Sequence, residues 1–178
     1  MILIAEGKNY SITSECHEPR IPGGFLDLAF NKIIPEILGK KYFASIAFVR
    51  EKKMRKINKE YRNKDESTDV LAFNLKEEGE ILFSLPNMRK KSREFGMEAS
   101  EYLSYLLIHA VVHLKGLDHG SKMDRLEKKF CNIFNIRHPH NKIEKDHQNE
   151  PKNNSRNRHR NIPSKGSGIV ARKSARIS

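Results

Sequence analysis

The chain has 178 residues, of which 37% are hydrophobic and 31% charged, and its formal net charge is +12. This length suits one ordinary domain with an appendage, and no apolar run approaches the ~20 residues that a membrane-spanning helix needs. The N-terminus lacks the basic region and the long apolar core of a secretory signal peptide, so we expect a cytoplasmic protein.

The N-terminal part of the chain contains one strand pattern and one helix pattern. Residues 1–5 are mostly apolar and predict a strand, whereas residues 11–22 are polar and end in a turn. Apolar residues recur at helical spacing over residues 25–38. Pro35 should kink or break this helix near its end, and Gly39 suits the position just after it.

The middle of the chain predicts three strands and one helix. Residues 42–49 are rich in β-branched and aromatic residues, as is typical of a strand. Residues 51–61 place apolar side chains on one helical face, and a polar loop follows. Residues 69–75 and 80–85 are two further strand patterns separated by a short turn, so we expect them to form a hairpin.

Three helices are predicted after the hairpin. Pro86 is placed to begin one that ends near Gly96. Residues 100–115 have a broad apolar face and are followed by Gly116, and residues 122–136 are amphipathic. The elements together predict an α+β domain with four strands and five helices.

The positive charge is concentrated at the C-terminus. Residues 137–178 carry 11 Lys and Arg against 3 Asp and Glu, whereas residues 1–136 carry 23 against 19. The C-terminal segment has few apolar residues and cannot bury enough surface to offset its chain entropy. We therefore predict a folded domain over residues 1–136 and a disordered basic tail over residues 137–178. The basic excess favours nucleic acid or an anionic surface as a partner, although solubility alone could explain the excess in the domain.

Three of the eight histidines lie close together in sequence, at His109, His113 and His119. Two histidines four residues apart on a helix point the same way, and Gly116 lets the chain turn so that the third can reach the same ion. Three ligands leave a fourth position for water or substrate, as at a catalytic zinc. The pattern therefore predicts one zinc ion, rather than three unrelated polar side chains, although nickel, copper and iron also accept imidazole.

The spacing His-x3-His-x2-Gly-x2-His is also the metal spacing of the metzincin proteases. Those proteases carry Glu directly after the first histidine as the general base, and here that position is Ala110. Peptide hydrolysis by that mechanism therefore lacks its base, while the metal interpretation stands. The remaining histidines are interpreted as solvated, and they are His17, His138, His140, His147 and His159.

Two blocks of the sequence resemble the YbeY family of bacterial zinc-dependent endoribonucleases. Residues 109–119 read His-x3-His-Leu-x-Gly-x-Asp-His, which is similar to that family's signature. Residues 57–73 resemble its stretch N-x-x-[YF]-R-x-K-D-x-x-T-D-V-L-S-F. Residues 79–81 and Met123-x-x-x-Glu127 resemble further parts of the family, so the match covers roughly residues 40–136.

The resemblance implies a single α+β domain with a roughly four-stranded mixed sheet and about five helices packed around it. It implies a single-strand-specific endoribonuclease that acts in 16S rRNA 3′-end maturation and ribosome quality control. The implied partners are rRNA and the small ribosomal subunit, and the implied cofactor is one zinc ion. Its ligands are then His109, His113 and His119, and Arg62 is the family's functional arginine. The resemblance leaves the oligomeric state open.

Several residues outside the histidines have candidate roles. The guanidinium of Arg62 can pair bidentately with phosphate and offset the charge that develops there, unless it is simply a surface arginine. Asp118 either orients a metal ligand without binding the metal itself or caps a turn locally, and both roles stay open. Asp69 is interpreted as structural, accepting hydrogen bonds from loop amides. Lys64 and Asp65 either pair with each other or contact RNA.

Two other functions stay open at this point. One is a metal-dependent hydrolase of another substrate, including a peptide, and the other is a ribosome-assembly binding factor whose metal is mainly structural. The absence of Glu at position 110 argues against the peptide version. The expected open coordination position argues against a structural metal.

Overall fold

The computed structural model describes residues 1–15, 21–76 and 78–140. The strands are, in chain order, β1 (Ile2–Gly7), β2 (Tyr10–Ser14), β3 (Phe43–Phe48), β4 (Val70–Asn74) and β5 (Glu78–Phe83). The helices are α1 (Phe25–Asp27), a π-helical stretch (Leu28–Ile33), α2 (Ile34–Leu38), α3 (Glu51–Arg62), α4 (Leu85–Glu94), α5 (Ala99–Leu114) and α6 (Ser121–Ile133). None of these helices is long and apolar enough to cross a bilayer.

The strands form one mixed sheet in the order β1-β2-β3-β5-β4. Its centre is parallel, because β3 pairs in parallel with both β2 and β5. Each edge is antiparallel, with β1 paired to β2 and β4 paired to β5. The predicted α+β fold and the β4–β5 hairpin are confirmed, and the sheet has five strands rather than four.

The additional strand is β2, which lies in a segment that was expected to be a polar loop. Ile12 and Ser14 are fully buried, and the Ser11 hydroxyl donates to the Ser45 hydroxyl at 3.2 Å. β2 lies between β1 and β3, so its backbone groups pair on both sides. Strand formation depends here on neighbours that are distant in sequence rather than on local apolar character, which is why the loop prediction was wrong.

Alternate residues of the central strands face two separate hydrophobic cores. On β3, Ile46 and Phe48 belong to the larger core, which includes residues of α1, α2, α5 and α6. Ala47 belongs to the smaller core, where Met54 of α3 is fully buried. Eleven of the sixteen residues of α5 are buried. This helix is therefore a firm support for the side chains that project from its last turns.

The helix containing Pro35 changes its winding instead of breaking. The chain passes from α1 through six π-helical residues into α2, and Pro35 lies in the first turn of α2. The backbone N–H of Ile34 donates to the carbonyl of Ala29, five residues back. We attribute the wider turn to Pro35, which lacks an N–H and whose ring would clash with the carbonyl four residues earlier. Gly39 follows the helix with φ of 97°, as expected for a terminating glycine.

The chain after α6 returns to the domain. α6 ends at Ile133, and Asn135 takes a left-handed conformation with φ of 53°. Ile136 and His138 are then buried, with exposed fractions of 8% and 1%. The expectation that His138 is solvated was wrong, because its ring packs against α5 and α6, whereas His140 is exposed. The rest of the predicted tail, residues 141–178, lies outside the described residues.

Candidate metal centre

The end of α5 brings the three predicted histidines together. His109 and His113 lie on its last turns, and the helix ends at Leu114. Gly116 has φ of 88°, a conformation that glycine adopts readily because it has no Cβ, and its N–H donates to the His113 carbonyl at 2.8 Å. The turned chain places His119 beside the helix, with ring centroids 5.4 Å from His109 and 4.6 Å from His113.

The three imidazoles offer nitrogen atoms that lie within 4.8 Å of one another. Among the described residues this is the group that could hold a metal ion. Nitrogen atoms at this separation can reach one ion, since a zinc-to-imidazole bond is about 2.0–2.1 Å long. The helical spacing of four residues and the glycine turn therefore produce the cluster that the sequence predicted.

The hydrogen bonds of His113 leave one of its nitrogens available to a metal. Nδ1 lies 2.8 Å from the carbonyl oxygen of Leu117, which can only accept, so Nδ1 carries the proton. Nε2 is then unprotonated, and it is buried without a hydrogen-bond partner within the described structure. Burial, and next the charge of His109, lower the pKa of His113 to about 4. A neutral ring with an orphaned lone pair fits a metal ligand, which must be deprotonated.

His109 is oriented in the same way, but by a carboxylate from another helix. Its Nδ1 lies 2.8 Å from Oε1 of Glu127 on α6. Glu127 is only 5% exposed. Burial acts to raise the pKa of Glu127, but hydrogen bonds and charges from His109 and His138 lower it overall. An ionised Glu127 accepts the Nδ1 proton and leaves Nε2 of His109 free for a metal.

Glu127 is a candidate functional residue to which the reasoning from sequence assigned no role. The only signal was its place in Met123-x-x-x-Glu127, which matched the family's last helix without indicating a role. The candidate for orienting a ligand was Asp118, but Asp118 is exposed. The groups that hydrogen-bond His109 and His113 are Glu127 and the Leu117 carbonyl. A role for Asp118 stays a prediction.

Asp69 lies at the start of β4 and joins three elements. Its carboxylate accepts hydrogen bonds from the Lys91 ammonium at 2.9 Å, the Tyr102 hydroxyl at 2.9 Å and the Thr68 hydroxyl at 3.0 Å. Its backbone partner is the N–H of Val70 at 3.2 Å. Burial acts to raise the pKa of Asp69, but Lys91 and the two hydroxyls lower it overall. These contacts support a structural role that links β4 to α4 and α5.

A cleft of about 510 Å³ opens beside the histidines, and both His109 and His119 line it. Arg62, the last residue of α3, lines the same cleft and is exposed. Lys64 and Lys91 add two further cations to its walls. The fold therefore brings Arg62 to the cleft of the histidines, although the two blocks are far apart in sequence. A larger groove of about 1090 Å³ beside α3 has no histidine among its lining residues.

Asp65 does not pair with its neighbour Lys64. Its carboxylate accepts hydrogen bonds from Arg55 at 2.8 Å and from Lys59 at 2.9 Å, both on α3. These partners lower the pKa of Asp65 to about 2. Lys64 is left facing the cleft instead. Of the two alternatives left open for these residues, pairing with each other is therefore not found, and contact of Lys64 with RNA stays a prediction.

The sequence of this chain is similar to those of known proteins over most of the described domain. The family described as endoribonuclease YbeY matches residues 25–135. An endoribonuclease YbeY from a Sulfurihydrogenibium species is 34% identical over 116 residues, which are 61% of this chain and 76% of the relative. The endoribonuclease YbeY of Persephonella marina is 31% identical over 134 residues, which are 70% of this chain and 85% of the relative.

A solved structure has the same fold. The solution structure of TM1509 from Thermotoga maritima matches with a TM-score of 0.51 and 23% sequence identity. The match covers 71% of this chain and 91% of that protein. At this identity the likeness concerns the arrangement of strands and helices and does not extend to the chemistry.

Proposed function

Because the chain belongs to the endoribonuclease YbeY family, we propose that it is a zinc-dependent, single-strand-specific endoribonuclease. We further propose that it acts in the cytoplasm, in 16S rRNA 3′-end maturation and ribosome quality control, with rRNA and the small ribosomal subunit as its partners. The observation that carries the proposal is the cluster of three histidines, whose ring nitrogens lie within 4.8 Å of one another, beside a cleft that Arg62 also lines.

The residues of the site fit one zinc ion. Its ligands would be His109, His113 and His119. In His109 and His113 the proton is on Nδ1, which is hydrogen-bonded to the protein, so Nε2 is available to the metal. When bound, zinc supplies a water of lowered pKa and a Lewis acid that polarises a phosphoryl oxygen. Three protein ligands leave one of the four usual positions for water or substrate.

The remaining residues of the cleft bind and orient the substrate. Arg62 pairs with the scissile phosphate and offsets the negative charge that develops on its oxygens. Lys64 attracts a neighbouring phosphate, whereas the Lys91 ammonium is paired with Asp69. Phe95, Tyr102 and Tyr105 are among the lining residues of the cleft. Tyr102 and Tyr105 are buried, but the partly exposed ring of Phe95 suits an unstacked base of a single strand, which supports the proposed preference over duplex RNA.

Peptide hydrolysis is not favoured by the geometry. The position after the first histidine is Ala110, which is fully buried inside α5 and carries no titratable group. Glu127, which contacts His109, already accepts a hydrogen bond from its ring on Oε1. A zinc protease needs a free carboxylate beside the bound water as general base.

A cleavage assay tests the proposed function. Purified protein, with zinc and after chelation, is incubated with single-stranded RNA, duplex RNA and casein, and the products are separated on gels. We expect cleavage of the single strand only, lost on chelation and restored by zinc. His113→Ala should abolish cleavage because it removes a ligand, whereas His17→Ala, outside the family match, should not.

The outcomes separate the alternatives. Cleavage that survives both His113→Ala and chelation would identify a contaminating nuclease and contradict the proposal. Zinc-loaded protein that binds RNA without cleaving it would favour the ribosome-assembly binding factor. Degradation of casein alone would favour a hydrolase of another substrate.

A further inference from the structure

We propose that His138 is a positioning residue of the metal centre and acts on His109 through Glu127. His138 lies three residues beyond the segment 25–135 that matches the family, so membership of the family assigns it no role. The proposal rests on the proposed metal site but does not depend on which RNA is cleaved.

Hydrogen bonds assign the protonation of the His138 ring. The backbone N–H of His140 points at Nδ1 of His138 from 3.3 Å, and an N–H can only donate. Nδ1 is therefore unprotonated, and Nε2 carries the proton. Nε2 lies 3.4 Å from Oε2 of Glu127, in a direction that lets it donate to the carboxylate. His138 thus satisfies both of its ring nitrogens as a neutral imidazole.

Glu127 is held from both of its oxygens. Oε1 accepts from Nδ1 of His109 at 2.8 Å. Oε2 faces Nε2 of His138 at 3.4 Å and the Tyr105 hydroxyl at 3.5 Å. Donors on the two oxygens oppose rotation of the carboxylate group about its own axis. His138 therefore helps to fix the orientation of Glu127, and Glu127 fixes the orientation and the basicity of the His109 ring.

The segment that carries His138 is itself anchored to the domain. The backbone N–H of Arg137 donates to Glu101 at 3.2 Å, and the Arg137 guanidinium donates to the carbonyl of Gly96. The His138 ring meets Tyr105 edge-on, with centroids 5.2 Å apart. His138 is 1% exposed, so no bulk water competes for its hydrogen bond to Glu127. These contacts hold Nε2 of His138 in a fixed position beside Glu127.

Two substitutions of similar volume separate positioning from space filling. His138→Leu removes the donor, whereas His138→Gln keeps an N–H donor close to the position of Nε2. Zinc affinity is measured by competition with a chromophoric chelator, in full-length protein without RNA. We expect the Leu variant to bind zinc roughly 10-fold more weakly, as for other outer partners of metal ligands, and the Gln variant to stay within about 3-fold of wild type.

Two further readouts distinguish positioning from a merely structural role. The visible absorption of the cobalt-substituted protein should change in the Leu variant, because the orientation of a ligand ring changes, and should resemble wild type in the Gln variant. In a Glu127→Gln background, His138→Leu should have little further effect on zinc affinity, since His138 acts on His109 only through Glu127. Thermal unfolding of the metal-free variants checks that each is folded.

The outcomes test the positioning role of His138 separately from the metal site. Equal zinc affinity in wild type and His138→Leu overturns the positioning role and leaves the metal site intact. An equal loss in the Leu and Gln variants shows that the hydrogen-bond donor at position 138 is not what supports zinc binding, which also overturns it. If wild-type protein does not bind zinc at all, the metal site fails, and this proposal fails with it. RNA cleavage enters none of these measurements, so the fate of the proposed nuclease activity is decided separately.

Discussion

At the scale of single residues, the chemistry of the site depends on which nitrogen of each histidine carries a proton. Leu117 and Glu127 accept the Nδ1 protons of His113 and His109, so both rings present Nε2 to the same space. Binding of the proposed metal would therefore need no tautomer change at these two histidines. Arg62 lines the same cleft and is not one of the proposed ligands, which allows its contribution to be measured independently.

Replacing Arg62 tests its role in the reaction. For Arg62→Ala we expect kcat for single-stranded RNA to fall about 100-fold, because one charged donor to the phosphate is lost. Arg62→Lys should recover only part of the activity, because it restores charge without the bidentate geometry. Zinc affinity should stay unchanged in both. Arg55→Ala is the matched control, since Arg55 lies on the same helix but pairs with Asp65. Full kcat in Arg62→Ala would remove Arg62 from the mechanism.

Asp69 should contribute to stability in a pH-dependent way. For Asp69→Asn we expect a loss of about 2 kcal/mol in the free energy of unfolding at pH 7, because a buried carboxylate loses its charge beside Lys91. The folded-state pKa of Asp69 is lowered, so its contribution is complete above the unfolded value of about 3.9. It is lost as the pH falls through the lower folded value.

Urea unfolding at several pH values measures this contribution. The difference between wild type and Asp69→Asn should shrink as the solution becomes more acid than pH ~4. Asp65→Asn is the control, because Asp65 is also paired with two cations but is exposed. We expect it to leave the free energy of unfolding close to wild type at pH 7. A constant difference for Asp69→Asn at every pH would show that its charge is not involved.

At the scale of elements, the end of α5 decides where the third histidine lies. Gly116 has φ of 88°, and a Cβ built there would meet nothing within 4 Å. Gly96, after α4, has φ of 58° and equally open surroundings. The cost of Ala at either position is therefore in the backbone conformation alone, roughly 1–2 kcal/mol. The two glycines differ in that only Gly116 leads the chain to a candidate ligand.

This difference gives a matched pair of variants. Gly116→Ala should weaken zinc binding as well as lower stability, because relief of the backbone strain moves His119 away from the other two histidines. Gly96→Ala should lower the thermal stability by a similar amount without affecting zinc affinity. Calorimetry and chelator competition measure the two quantities. Unchanged zinc affinity in Gly116→Ala would show that the turn does not control the position of His119.

At the scale of the whole molecule, residues just beyond 136, the predicted end of the domain, contact the rest of the described structure. His138 is buried and contacts Glu127, so a chain ending at residue 136 would lack a part of the packing around the site. Residues 141–178 carry 10 Lys and Arg against 3 Asp and Glu. Such a segment attracts the phosphates of RNA without reading sequence.

Truncation after residue 140 tests the role of the basic segment. We expect zinc affinity and thermal stability to match those of the full chain, because the residues around the histidines are retained. Binding of single-stranded RNA should weaken at low salt, and the dependence of the affinity on salt should become flatter. Filter binding or fluorescence anisotropy over a range of salt concentrations measures both. Identical affinity and salt dependence in the two chains would show that the basic segment does not bind RNA.

The sequence by itself determined the part of the site that is local. The spacing of His109 and His113 on a helix, and the glycine before His119, follow from helix geometry and backbone sterics within eleven consecutive residues. The matching block around Arg62 predicted a second half of the site, and helical and strand periodicity predicted most elements. These features depend on short stretches of chain, so one sequence is enough to indicate them.

The tertiary structure decided everything that depends on contacts between distant segments. Glu127 reaches His109 only because α6 packs against α5, and His138 reaches Glu127 only because the chain turns back after α6. The bonds from Asp69 to Lys91 and Tyr102, and the pairing of β2 with both neighbours, likewise join residues far apart in sequence. A buried polar group is stabilised by whichever partner the packing brings to it, and no local pattern specifies that partner.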